Sequence, residues 1–282
     1  MRQRVEGSRS GDGPTYTHLI VDLDGTLYRG PAPLPGAIEA MEHLRLDCEV
    51  LFLSNNCNVS ASHIAERLCR MGFAADAREV VTSVTLMVRA VDQLGSGLRV
   101  LTLTSGDVEP ALEEAGHRIV GPDRAEVVIV GVDLGISYER TAGALRALLA
   151  GAVLIGANAD GTYPTEDGPR PGAGAFVGVV CGMGFTPQRM CGKPDPWAMR
   201  EALALRGFTP GPDCLLVGDR LDSDIAGAHA VGIDSVLVLS GIRGRSEVRG
   251  LTKAPTYTVD SIAHVPGLLE KPDWPHRLGD GK

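Results

Sequence analysis

The chain has 282 residues, with 27 Lys+Arg against 35 Asp+Glu and a formal net charge of −8. Hydrophobic residues make up 44% and charged residues 22%, an ordinary globular mix that excludes disorder over most of the chain. The acidic balance argues against a protein that tracks nucleic-acid phosphates, which needs a basic face, and no apolar run approaches the roughly 20 residues of a membrane span.

Residues 1–15 are rich in Gly, Ser, Arg and Asp and aperiodic, so they read as a loose leader. Charge without a following apolar stretch is no secretory signal, and a cytoplasmic protein is expected. From His18 the pattern becomes strand, turn, helix, repeated. Leu19–Val21 and Val50–Leu53 are apolar runs that stop at Asp22 and Ser54, and helical patterns follow over Ala37–Leu46 and Ala61–Met71. Residues 80–182 repeat the alternation as their own unit. Leu98–Leu103, Val127–Val132 and Ala152–Gly156 read as strands; Val84–Gln93, Glu109–Ala115 and Tyr138–Leu149 read as helices. The last part returns to the first pattern, with strands at Cys214–Val217 and Ser235–Leu239 and helices at Pro196–Arg206 and Asp222–Val231. Aliphatic runs without polar alternation indicate strands buried on both faces, as in a parallel sheet. The expected fold is α/β: a Rossmann-like doubly wound parallel sheet core over 16–79 and 183–270, with an α/β cap inserted at 80–182 and a tail at 271–282. The six cysteines, at 48, 57, 69, 181, 191 and 214, form no C-x-x-C pair and read as free buried thiols.

Four expected strands end in reactive polar residues, where ligands of parallel α/β sheets bind. Asp22-Leu23-Asp24-Gly25-Thr26 sets two carboxylates two residues apart at a strand end, suited to a nucleophile or metal ligand at Asp22 and a general acid/base at Asp24. An ordinary solvated turn is the plainer alternative. Ser54-Asn55-Asn56 offers a hydroxyl, two amides and main-chain N–H groups to a phosphate, or else a helix cap. Lys193, between Gly192 and Pro194, is a rigid cation able to neutralise phosphate and carboxylate together, or else a surface lysine at a helix start. Gly218-Asp219…Asp224 adds carboxylates that, with Asp22, suit Mg²⁺, although Asp222 or Ser223 could equally cap a helix.

In this order the four clusters resemble the motifs of the haloacid dehalogenase superfamily. Leu27-Tyr28-Arg29-Gly30, Gly156-Ala157-Asn158-Ala159-Asp160 and Pro171-Gly172-Ala173-Gly174-Ala175 are similar to its NagD-like, para-nitrophenylphosphatase branch, which carries an α/β cap. The resemblance implies a Mg²⁺-dependent phosphatase of small phosphomonoesters such as sugar phosphates, nucleotides or phosphoglycolate. By match to the motifs, Asp22 would form an aspartyl-phosphate, Asp24 would serve as acid and then base, and Ser54 and Lys193 would bind the phosphoryl group, with Asn55 and Asn56 beside Ser54 counted as phosphate-binding from their amides. Asp22, the Asp24 carbonyl and Asp219 would hold Mg²⁺, with Asp224 behind them. The cap residues Asn158, Asp160 and Tyr163 would select the substrate, and a homodimer is a further expectation because cap-mediated dimers are common in the family. Cys57, near the second motif, has no adjacent base and reads as a packing thiol. The competing reading is a phosphate-binding or phosphoacceptor module without turnover. Asp24 separates the two, since a module that only stores a phosphoryl group needs no acid/base beside its nucleophile.

Overall fold

The computed structural model describes residues 15–165, 167–241 and 254–270. The expected tail, and the leader up to residue 14, lie outside the described residues. The strands are β1 (His18–Val21), β2 (Tyr28–Arg29), β3 (Ala32–Pro33), β4 (Glu49–Ser54), β5 (Val80–Thr82), β6 (Arg99–Leu103), β7 (Arg118–Ile119) and β8 (Val127–Val130). They continue with β9 (Val153–Gly156), β10 (Thr162–Thr165), β11 (Gly168–Pro171), β12 (Arg189–Met190), β13 (Cys214–Gly218), β14 (Asp234–Val238) and β15 (Tyr257–Val259). The α-helices are α1 (Ala37–Leu44), α2 (Ala61–Arg70), α3 (Ser83–Asp92), α4 (Val108–Glu114), α5 (Tyr138–Leu149), α6 (Ala173–Cys181), α7 (Pro196–Leu205), α8 (Ala226–Val231) and α9 (Val265–Leu269).

Two parallel sheets organise these elements. The core sheet runs β15-β14-β13-β1-β4-β5 and the cap sheet β12-β9-β8-β6-β7. In the core sheet β1 is central, with Val21 opposite Val217 on one side and Phe52 on the other, so the residues after β1, β4 and β13 emerge at one edge. Both faces are apolar, as the unalternating runs require. Leu19, Val21 and Phe52 pack against Met41, Ile64 and Leu68 of α1 and α2. Ile20, Leu51 and Leu216 face α3 and α7, and the same cluster continues into Val100, Ile129 and Ile155 of the cap strands. Cap and core therefore share a continuous apolar seam.

The helix starts are legible chemistry. Ser60 accepts from the His63 N–H at the start of α2, and Thr82 and Thr85 cap α3 reciprocally. Asp195 accepts from Trp197 and Ala198 at the start of α7, with Pro196 in the first turn.

Three expectations need correction. The boundaries shift: β5 begins at residue 80 but pairs with β4 in the core sheet, and β12 lies beyond 182 but pairs with β9 in the cap sheet. Strands of two or three residues carry too little pattern to be assigned from sequence. The helix expected over Asp222–Val231 begins as a π-helical turn at Leu221–Ile225 before α8. Finally, Cys69 and Cys181 are exposed, while Cys48, Cys57, Cys191 and Cys214 are buried; all six are free. Among the described residues no helix is long and apolar enough to cross a membrane.

Candidate active site

The four polar clusters converge on one cavity of about 700 Å³ between the core strand ends and the cap. Asp22, Asp24, Ser54, Lys193 and Asp219 line it from the core, and Asn158, Asp160 and Tyr163 from the cap.

Lys193 is the centre of charge. Its side chain is buried, and its Nζ donates to Asp22 Oδ1 at 2.5 Å, Asp224 Oδ1 at 2.7 Å and the Leu53 carbonyl at 2.9 Å. Burial alone would lower its pKa, but the carboxylates of Asp22 and Asp224 raise it overall, so the ammonium is firmly charged. Burial drives Asp22 well above the usual carboxylate range, against the pull of Lys193, and the charges of Asp224 and Asp219 add to the rise. Asp219 is pushed up to about 7 by burial and by Asp224. Both rises come first from burial, and the neighbouring carboxylates add to them.

Carboxylate oxygens of Asp22, Asp219 and Asp224 lie within 4.8 Å of one another. Their roles differ by what they touch. Asp224 has both oxygens committed, Oδ1 to Lys193 and Oδ2 to the Arg220 N–H at 3.0 Å. Among the described residues, Asp219 Oδ1 is buried without a hydrogen-bond partner. A buried orphan carboxylate oxygen is costly unless a cation or water meets it. A hard divalent cation fits this donor set: all-oxygen, anionic, and short of positive charge. Glycine is required beside Asp219. A Cβ on Gly25, which has φ +85°, would lie 2.4 Å from Asp219 Oδ2, and one on Gly241 would collide with it.

Asp24 opens into the cavity. It accepts from the Tyr28 hydroxyl at 3.3 Å, and Arg67 stacks over the Tyr28 ring at 4.6 Å while donating to the Gly30 carbonyl at 2.8 Å. The surrounding walls desolvate Asp24 and raise its pKa, partly opposed by Arg67, Tyr28 and Lys193. Thr26, fully buried, donates to Asp22 Oδ2 at 3.3 Å.

Asn55 and Asn56 line the cavity, and their side chains bond to neighbouring protein groups. Asn56 Oδ1 accepts from the N–H groups of Asn58 and Val59, turning the chain into α2. The Asn55 amide clamps the Lys193 main chain, accepting from its N–H at 2.8 Å and donating to its C=O at 3.0 Å. Ser54 ends β4, and its Oγ accepts from the Asn56 N–H at 3.1 Å. In the cap, buried Asn158 donates to the Asn55 carbonyl at 2.7 Å and accepts from Asp160 N–H, while Tyr163 sits half-buried on β10. Cys57 lines the wall with its thiol pushed up to about 11 by burial, which suits a packing thiol. Arg67 and Arg220 were not foreseen. Arg67 lies on α2 with no motif around it, whereas Arg220 could have been read from its place directly after Asp219.

The description "haloacid dehalogenase-like hydrolase" matches residues 19–118, and the related HAD-hydrolase-like description matches 190–265. The chain belongs to the haloacid dehalogenase-like hydrolases. Within that family it falls among the NagD-like phosphatases. It is 34% identical over 275 residues to a D-glycerol 3-phosphate phosphatase of Mycobacterium tuberculosis, covering 93% of this chain and 76% of that one. Among solved structures it is similar to a p-nitrophenyl phosphatase from Archaeoglobus fulgidus, with TM-score 0.85 and 33% identity over 90% of this chain and all of that one. The M. tuberculosis glycerol phosphate phosphatase, solved in complex with magnesium, gives TM-score 0.80 and 35% identity over 90% of this chain and 78% of that one.

Proposed function

We propose that the protein is a Mg²⁺-dependent phosphomonoesterase that works through an aspartyl-phosphate on Asp22. The observation that carries this reading is the junction of Lys193 with Asp22 and Asp224 beside Asp219, whose Oδ1 has no partner among the described residues. Asp22, the Asp24 carbonyl and Asp219 would hold the ion, which when bound supplies charge stabilisation for the transferring phosphoryl group. Asp224, already committed to Lys193 and Arg220, supports that set from behind.

An Asp22 oxygen attacks phosphorus; the new O–P bond forms as the ester P–O bond breaks. Asp24 gives its proton to the departing ester oxygen. Asp24 then takes a proton from a water that attacks the aspartyl-phosphate, breaking the Asp22–phosphorus bond and releasing inorganic phosphate. Ser54 and Lys193 hold the phosphoryl oxygens during both steps. Desolvation of Asp24 suits this double duty, because a raised carboxyl pKa brings acid and base forms closer to neutral pH. Similarity to a mycobacterial D-glycerol 3-phosphate phosphatase supports a small polyol or sugar phosphate as substrate, with Tyr163 setting selectivity on the leaving-group side.

The phosphoacceptor alternative is separated from this reading at Asp24. Phosphate release from an aryl and an alkyl phosphate should require a divalent cation. Asp24→Asn should slow the first step by roughly 10²–10⁴-fold on the alkyl ester and by less on the aryl ester, whose leaving group needs less help. Single-turnover kinetics measure this; an unimpaired variant would favour the module without turnover.

A further inference from the structure

The cavity wall contains a closed circuit of hydrogen bonds in which one member, Asp160, belongs to the cap. Asp160 Oδ2 accepts from Asn55 Nδ2 at 2.9 Å, and its Oδ1 pairs with Arg220 Nη2 at 3.2 Å. Asn55 in turn clamps both main-chain groups of Lys193. Lys193 Nζ binds Asp224, and Asp224 accepts from the Arg220 N–H, which closes the loop. The Arg220 guanidinium is steadied from outside by a two-pronged contact to Asp222, at 3.1 and 3.0 Å.

On the phosphatase reading, we propose that Asp160 is a positioning residue for Lys193 and not a contact for the leaving group, so that the cap takes part in the chemical step. Both Asp160 oxygens are engaged on the core side, and a leaving-group contact would have to break one of these bonds. The circuit also accounts for Gly192. A Cβ there would stand 2.7 Å from both Asn55 Oδ1 and Asn158 Cβ, so any larger residue would push Asn55 off the Lys193 main chain. The apolar seam running from the core sheet into the cap strands fixes the cap close enough for Asp160 to make these contacts. Misplacing a reacting group by about 1 Å can cost on the order of 10²-fold in rate. A displaced Lys193 would misplace both the nucleophile and the phosphoryl oxygens.

Asp160→Ala should lower kcat by about 10- to 100-fold on aryl and alkyl phosphates alike, leaving the ranking of substrates unchanged. Asp160→Asn keeps an acceptor for Asn55 but loses the charge facing Arg220, so its loss should be smaller; it also serves if the alanine variant fails to fold. Unchanged kcat on the aryl ester, with KM or the ranking altered, would make Asp160 a substrate contact and overturn the proposal. A second readout does not depend on turnover. The Lys193 amide, held by Asn55 Oδ1, should exchange its hydrogen slowly in the native protein and faster in both variants. Equal protection in all three would break the relay through Asn55. If the native protein released no phosphate from any phosphomonoester, the functional reading would fail while the exchange result still judged the relay.

Discussion

At the scale of single residues, the site is a problem in placing negative charge. Two carboxylates, Asp22 and Asp224, pair with one buried ammonium while Asp219 stands beside them, and burial, with mutual repulsion added, raises the pKa values of Asp22 and Asp219. Asp24 lies outside that knot and is tuned separately: desolvation by the cavity walls raises it and Arg67 pulls it down. Arg67→Gln removes a cation that favours the ionised carboxylate, so the Asp24 pKa should rise further. On the proposed role of Asp24 as a general acid, which works while protonated, the alkaline limb of the kcat/KM profile for an alkyl phosphate should move to higher pH. A limb that stays in place or moves down would exclude this electrostatic role for Arg67. The residue-level reading was strongest where charge is scarce. Asp22, Asp24 and Asp219 are legible because charged groups follow unbroken apolar strands, and Lys193 and Asp224 because they sit in short polar clusters at helix starts. Asn55 and Asn56 are less legible, because an amide is equally at home on a phosphate, a turn or a neighbouring main chain, and only the fold says which is within reach.

At the scale of elements, β1 carries the site. Its four residues are flanked by β4 and β13, and it delivers Asp22 beside Ser54 and Asp219. Ile20, fully buried in the middle of β1, belongs to the cluster that also includes α3, α7 and the cap strands. Ile20→Ala should destabilise the protein by about 2–5 kcal/mol, through lost burial and a cavity. Denaturant unfolding measures this, and a loss under about 0.5 kcal/mol, typical of surface positions, would contradict the placement of β1. The long apolar strands were legible because burial on both faces leaves an unbroken signature. The β10–β11 hairpin was not, since Pro164, Pro169 and Pro171 remove donors from its ladder and mask the pattern. It pairs as an isolated two-stranded ribbon, where prolines are tolerated.

At the scale of the molecule, charge at the site is linked to stability. Asp219 has a folded-state pKa of about 7 against an ordinary value of 3.8, so between these values the folded protein binds more protons than the unfolded chain. Stability should therefore fall as pH rises through that window in metal-free protein. Mg²⁺ should restore it, with the gain growing toward pH 7 as the carboxylate ionises. Thermal unfolding at pH 5 and pH 7.5, with and without Mg²⁺, measures both effects; Asp219→Asn should flatten the pH slope, and an unchanged slope would assign it to other groups. The insertion of one α/β unit into another was visible because the polar strand ends fall two before and two after residues 80–182. The cross-domain contacts were not, because Asp160 and Arg220 are 60 positions apart and meet only when the two sheets share their apolar seam.

The central claim is that Asp22 carries the phosphoryl group during turnover. Its most direct test is acid quenching of the enzyme during turnover of an aryl phosphate with Mg²⁺, followed by mass spectrometry of its peptides. A phosphoryl group should be found on the peptide containing Asp22, and both the adduct and turnover should vanish in Asp22→Asn. Steady phosphate release with no adduct, undiminished in Asp22→Asn, would contradict the account.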